Sequence, residues 1–200
     1  MVVIREYDSS DAISWMKCWL MAAGSSRAWL FLLTKKPTYA RSSLELVAIS
    51  GGEVVGILDI EVENEPGDLC GQNVEGGAFA WEFGVHPEYW GQGIGKALVE
   101  NAEERLRDEH GVGYMEWWSM DERSGRWYES YGMQCINEHW RFNIESDSEA
   151  ESVFAARDTR MAYAHLTCSV GDWPEVRKQF SIIERPPLEP RLCRGFAHRF

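Results

Sequence analysis

With 200 residues carrying 20 Lys and Arg against 32 Asp and Glu, the chain has a formal net charge of −12. That field repels phosphate backbones and so argues against nucleic acid as a partner, while it suits cationic ones and also serves plain solubility. The length fits one large domain or one domain with an extension, the most apolar window (AWLFLL, 28–33) is too short to span a bilayer, and five scattered cysteines without C-x-x-C spacing exclude a disulfide framework and a structural zinc site.

The start, MVVIREYDSSD, has no basic leader before an apolar run, so a cytoplasmic, reduced protein is expected. VVIREY alternates like a short strand. Ser9, Ser10 or Asp11 can cap a helix through AISWMKCWLMAA that closes near Gly24, and SRAWLFLL reads as a second helix ending before Lys36-Pro37. Trp15, Trp19, Trp29 and Phe31 fall at helical spacing, which makes them core residues first and pocket lining second. LELVAIS and EVVGILDIEV form a hairpin through Gly51-Gly52. A polar loop follows, carrying Glu63, Glu65, Asp68 and Glu75, and then the strand AFAWEFGV.

Next comes VHPEYWGQGIGKAL, with Gly91, Gly93 and Gly95 inside five positions. It opens a helix whose Ile94, Leu98, Ala102 and Leu106 recur in steps of four, with Glu103 and Arg107 at a supportive spacing and Gly111 as its stop. YMEWWSM is a strand, Asp121 can cap a helix through ERSGRWYESY that Gly132 ends, and MQCINEHWRFNIE is a long strand. SDSEAES is the one internal linker. RMAYAHLTC reads as a strand, DWPEVRKQF as a short helix with Pro174 in its first turn, and SIIER and RLCRGFAHRF as strands flanking PPLEP.

A strand, a glycine-rich turn and a helix direct free N–H groups and a helix dipole at one spot, which is a site for phosphate. Two phosphate loops fail here. Walker A meets Trp90 at its first position and Ala97 at its last, and the dinucleotide fingerprint meets Lys96 or Leu98 where it needs its last small residue. The pattern that remains, [QR]-x-x-G-x-[GA] after a strand ending in V-x-P, is that of the GNAT superfamily of N-acetyltransferases, which VHPEYWGQGIGKAL resembles with Val85-His86-Pro87 leading in. It departs at Trp90, where Arg or Gln usually stands. Further on, GRWYESYGMQ resembles the family's later motif, with Tyr128 as its tyrosine and Asp121 where Asn is common.

The resemblance covers residues 1–145 and implies an α+β fold: a mixed, mostly antiparallel sheet with splayed central strands, flanked by helices. Residues 146–200 form a strand-helix-strand extension that adds to the sheet, covers the acceptor groove or pairs two subunits into a homodimer. The resemblance also implies acetyl-CoA as cosubstrate, gripped by Val85, Gln92, Gly93, Ile94, Gly95, Lys96 and Ala97, with Asp121 and Tyr128 near the pantetheine and no metal. The activity implied is N-acetyl transfer by direct attack of an amine in a ternary complex; the alternative is a non-catalytic module that binds acyl-CoA.

The chemistry needs a neutral amine, N–H donors for the carbonyl oxygen and a proton for the departing thiolate. An alkyl ammonium has a pKa of ~10.4, so a carboxylate relay is required, and Glu82 on the cofactor strand and Glu116 on the facing strand are the candidates. His86 sits at the mouth of the strand gap but reads as a turn residue. Tyr128 is the acid that resemblance suggests. Trp15, Trp19 and Trp29 with the acidic loop (Glu63, Glu65, Asp68) point toward a basic small-molecule or peptide amine, such as lysine, a polyamine or an aminoglycoside.

Overall fold

Alternating, β-branched runs give the first half of the chain its strands, and β1 (Val3–Glu6), β2 (Ser43–Ser50), β3 (Glu53–Val62) and β4 (Gly77–Val85) follow one another as an antiparallel meander. The structure, a computed structural model, describes residues 1–26, 33–71, 76–145, 163–184 and 188–200. Gly51 and Gly52 make the hairpin turn with φ of +60° and +86°, the left-handed geometry that matches strand twist. Four more strands complete an eight-stranded sheet: β5 (Tyr114–Ser119), β6 (Gln134–Glu145), β7 (Tyr163–Ser169) and β8 (Arg191–Arg199). Their order is β1-β2-β3-β4-β5-β8-β6-β7, and only β4 and β5 pair in parallel. The mixed, mostly antiparallel α+β fold expected from the sequence is the fold found.

Helix α1 (Ala12–Gly24) covers one face of the sheet, laying Trp15, Cys18 and Trp19 on Val47, Val54 and Ile57. Helix α2 (Ile94–His110) covers the other with the expected stripe of Ile94, Leu98, Ala102 and Leu106. Ile94, Leu98 and Leu106 of that stripe each contribute about 1.5–3 kcal/mol by their burial. The close approach of α2 depends on Gly56, where a Cβ would lie 2.9 Å from Ile94 and 3.2 Å from Ala48. Helices α3 (Glu122–Tyr131) and α4 (Trp173–Gln179) pack farther along, α4 through Trp173 stacked on Trp140 at 4.9 Å.

Two expectations are corrected and two are filled out. Asp11 does not cap α1: Asp8 caps a short 3-10 turn at Ser9–Asp11, and Asp11 instead holds Arg5 at 2.7 Å. Glu103 keeps its attraction to Arg107 and also accepts from the Tyr131 hydroxyl (3.1 Å), with His198 at 3.4 Å. SIIER makes one isolated bridge, Ile144 to Ile182, on the edge of β6 away from β7, where β8 pairs only as far as Arg141. Of the alternatives for the tail, addition to the sheet is the one seen, with β8 inserted between β5 and β6. The second helix (27–32) and the linker (146–152) fall outside the described residues. The five cysteines are free thiols, and among the described residues no helix is long and apolar enough to cross a membrane.

Phe196 of β8 is fully buried, with its ring 5.1 Å from that of Tyr128. Phe196→Ala is expected to remove about 3–5 kcal/mol of stability. In a chain of this size that lowers the melting temperature by roughly 10 °C, which thermal unfolding measures.

Candidate active site

β4 and β5 pair from Gly77 opposite Tyr114 to Ala80 opposite Trp117, and no farther. At the same point the β3–β4 register passes from Ile60–Ala80 to Asp59–Glu82, leaving Trp81 as an extra residue. Such a bulge bends its strand and re-aims side chains. Trp81 donates its indole N–H to Glu61 (2.9 Å) and lies against Phe79 (4.7 Å between ring centres), while Glu82 accepts from the Trp19 indole (2.7 Å). Both therefore face α1, and Phe83 and Val85 turn to the α2 side. Through the gap runs a cavity of about 610 Å³.

At its α2 end lies the glycine turn. Gly91 and Gly93 have φ of +75° and +78°, which side chains resist. Gly93 is the N-cap of α2 with no side-chain cap, so the N–H groups of Ile94, Gly95 and Lys96 and the positive end of the helix dipole face outward. Gly95 serves packing instead: a Cβ there would be 3.3 Å from Phe83. Trp90 donates its N–H to the Val85 carbonyl (2.7 Å), and the Arg123 guanidinium lies 4.4 Å over its ring. The residue that departs from the family pattern is thus a brace holding a cation at the mouth. Val85, Gly93, Ile94, Gly95 and Lys96 line the cavity; Gln92, whose amide donates to Glu88 (3.4 Å), and Ala97 do not. His86 is a turn residue off the cavity, accepting the Glu88 N–H at 3.3 Å.

Across the gap, Asp121 caps α3 through the Ser124 N–H (2.9 Å) and hydroxyl (3.0 Å) and also lines the cavity. Two turns on, Tyr128 reaches the same cavity, its ring enclosed by Phe196, Trp127, Trp117 and Phe83 at 5.1–6.3 Å. Burial, and then the Asp121 charge, push its phenol well above the usual range, so it stays protonated and able to donate at neutral pH.

The two candidate carboxylates part company. Glu82 lines the cavity, and burial, helped by the nearby Asp59 charge, lifts it from 4.5 to about 7 against the pull of the Trp19 hydrogen bond and Lys36. Glu116 is fully buried off the cavity, accepting from the Gly71 N–H (2.8 Å) and the Tyr114 hydroxyl (2.6 Å). The acidic loop is equally committed: Glu63 accepts the N–H groups of Gly67, Leu69 and Cys70 at 2.9–3.0 Å, and Asp68 lies 3.5 Å from Arg41. Glu65 stays exposed. Of the tryptophans, Trp19 lines the cavity and Trp15 is sealed beneath α1. Trp29, Phe31 and Glu75 lie outside the described residues. Trp81, Trp118, Met120, Trp127 and Arg123 are lining residues that sequence reasoning missed, and the bulge that exposes the first of them leaves no local signal.

The model of the Acetyltransferase (GNAT) family matches residues 9–133. No curated protein matches. Among solved structures the chain is similar to the ribosomal-protein-S18-alanine N-acetyltransferase from Escherichia coli (15% identity, TM-score 0.56, all of this chain and 94% of that one). It is similar also to a GNAT family acetyltransferase from Elizabethkingia anophelis with acetyl-CoA bound (12%, 0.52, all of this chain and 98% of that one). A third is the Drosophila melanogaster polyamine N-acetyltransferase (15%, 0.59, both chains in full). At these identities the likeness is one of fold.

Because the folded state holds the Glu82 proton up to about pH 7 and the unfolded chain releases it near 4.5, folding stability falls as pH rises across that window. In Glu82→Gln this contribution to the slope is expected to vanish, as melting temperatures of both proteins between pH 4 and 8 would show.

Proposed function

Since the chain belongs to the GNAT acetyltransferase family, we propose that it moves an acetyl group from acetyl-CoA to a primary amine by direct attack in a ternary complex. The observation that carries this reading is the convergence on one cavity of an uncapped helix N-terminus, a carboxyl group poised near neutrality and a neutral phenol. The residues fit the cosubstrate. Left-handed glycines bare the turn for a pyrophosphate, and Lys96 and Arg123 add positive charge at that end. The acetyl-CoA complex of the Elizabethkingia protein supports the choice of acyl donor.

Acetyl-CoA supplies the acyl group as a thioester. Glu82, directly or through water, takes the ammonium proton so that the amine lone pair is available. A backbone N–H at the end of β4, near Val85, stabilises the charge on the acyl oxygen. As the carbon–sulfur bond breaks and the carbon–nitrogen bond forms, Tyr128 gives its proton to the sulfur and is reprotonated, directly or through water, by the second proton that the nitrogen sheds on becoming an amide, while the Glu82 proton returns to solvent. A module that only binds acyl-CoA would need neither Glu82 nor Tyr128 in the cavity.

Acetyl-CoA at a hundred times its dissociation constant is expected to stabilise the protein by about 2.7 kcal/mol. That is a rise of roughly 5–10 °C in melting temperature, with NADH and ATP as controls. Gly93→Glu should abolish that rise, and a full rise would sink the phosphate-turn assignment. Turnover should climb with pH to a plateau above about 7. Glu82→Gln should lose this limb together with roughly a hundredfold or more of kcat, while Tyr128→Phe should slow turnover with acetyl-CoA affinity unchanged.

A further inference from the structure

Resting on the acetyltransferase reading, we infer that the acceptor is a primary monoamine carried on an aromatic or similarly flat apolar body, not a polyamine or a lysine-rich segment. The half of the cavity on the α1 face includes Trp19, Ile57, Trp81, Glu82 and Trp118, with Ser25 and Ser26 at the end of α1. Two of the indoles stand on the two parted strands just past their last pair, Ala80 opposite Trp117. Trp81 is 48% exposed there, with its one polar atom already committed to Glu61, so what it offers the cavity is a bare aromatic face. Trp118 is held by β8, lying so close over Gly195 that a Cβ would come within 3.0 Å of the indole, and by His139 at 5.1 Å. A flat apolar body fits between such faces.

The charge count points the same way. Among the described lining residues the only acids are Glu82 and Asp121, and Asp121 caps α3 on the opposite face of the sheet. Glu61, Glu63 and Glu116 are buried with N–H or O–H donors of the protein, and Asp59 is held by Lys36 (2.8 Å) and Tyr39 (3.0 Å). One ammonium thus finds one carboxylate, placed beside Trp81 by the bulge. A second ammonium would lose water with indole faces and the neutral hydroxyls of Ser25 and Ser26 in exchange but no second carboxylate, and these return less than that desolvation takes.

The test follows CoA thiol release by the full chain with acetyl-CoA, offering phenethylamine and tryptamine against spermidine, agmatine and kanamycin. Calorimetry with acetyl-CoA alone runs in parallel. The expected result is a kcat/KM for the aromatic monoamines at least tenfold above that for any polycation. Equal or better use of a polycation overturns the inference, as does binding of acetyl-CoA with no turnover of either monoamine. Failure to bind acetyl-CoA at all overturns the acetyltransferase reading and this one with it. In Trp81→Ala, checked for folding by its melting temperature because the indole also donates to Glu61, the ratio of kcat/KM for phenethylamine to that for ethylamine should fall about tenfold; an unchanged ratio in the folded variant overturns the stacking role.

Discussion

The hydrogen-bond ladder between β4 and β5 lasts from Gly77–Tyr114 to Ala80–Trp117, and the remainder of the site is arranged around the point where it stops. Parting two central strands forgoes backbone hydrogen bonds, each worth about 0.5–1.5 kcal/mol net and more when the groups are left dry. The separation is held from both sides. On one, the extra residue at Trp81 bends β4 while β3 keeps pairing along it; on the other, β5 stays fully paired with β8 through Ser119. The gap is therefore a property of the sheet, and the groups around it inherit fixed positions.

Those groups sort by face. On the α2 side lie the glycine turn, the braced Arg123 and the phenol of Tyr128 in its ring of aromatics; on the α1 side lie Glu82 and the indoles. Low dielectric acts on the two titratable groups in the same direction and to different ends. It keeps Tyr128 protonated, ready to give a proton, and brings Glu82 to the point where it both takes and releases one near neutral pH.

Local signals made much of this legible. The glycines at 91 and 93 announce left-handed backbone, the four-residue stripe of α2 announces its buried face, and Asp121 with Tyr128 two turns later announces a capped helix aimed at one place. What stayed hidden depends on pairing. Plain alternation through AFAWEFGV would put Glu82 on the same face as Ala78 and Ala80, against α2; the bulge alone moves it. Glu116 looks equivalent to Glu82 until the loop after Glu63 folds back and delivers the Gly71 N–H to it. Trp90 reads as a lost polar contact until α3 brings Arg123 over its ring.

The place of β8 has a consequence in time. It follows β6 and β7 in the chain yet separates β5 from β6 in the sheet, so the two halves of the sheet join only when it takes its place. Until it does, β5 presents a bare edge, Trp118 has no glycine to lie on and Tyr128 lacks the ring of Phe196. Contacts between residues this far apart in the chain form slowly. The indole wall of the cavity and the packing of the phenol thus both depend on one strand late in the chain. A partly folded chain can own every residue that lines the cavity and still lack its walls.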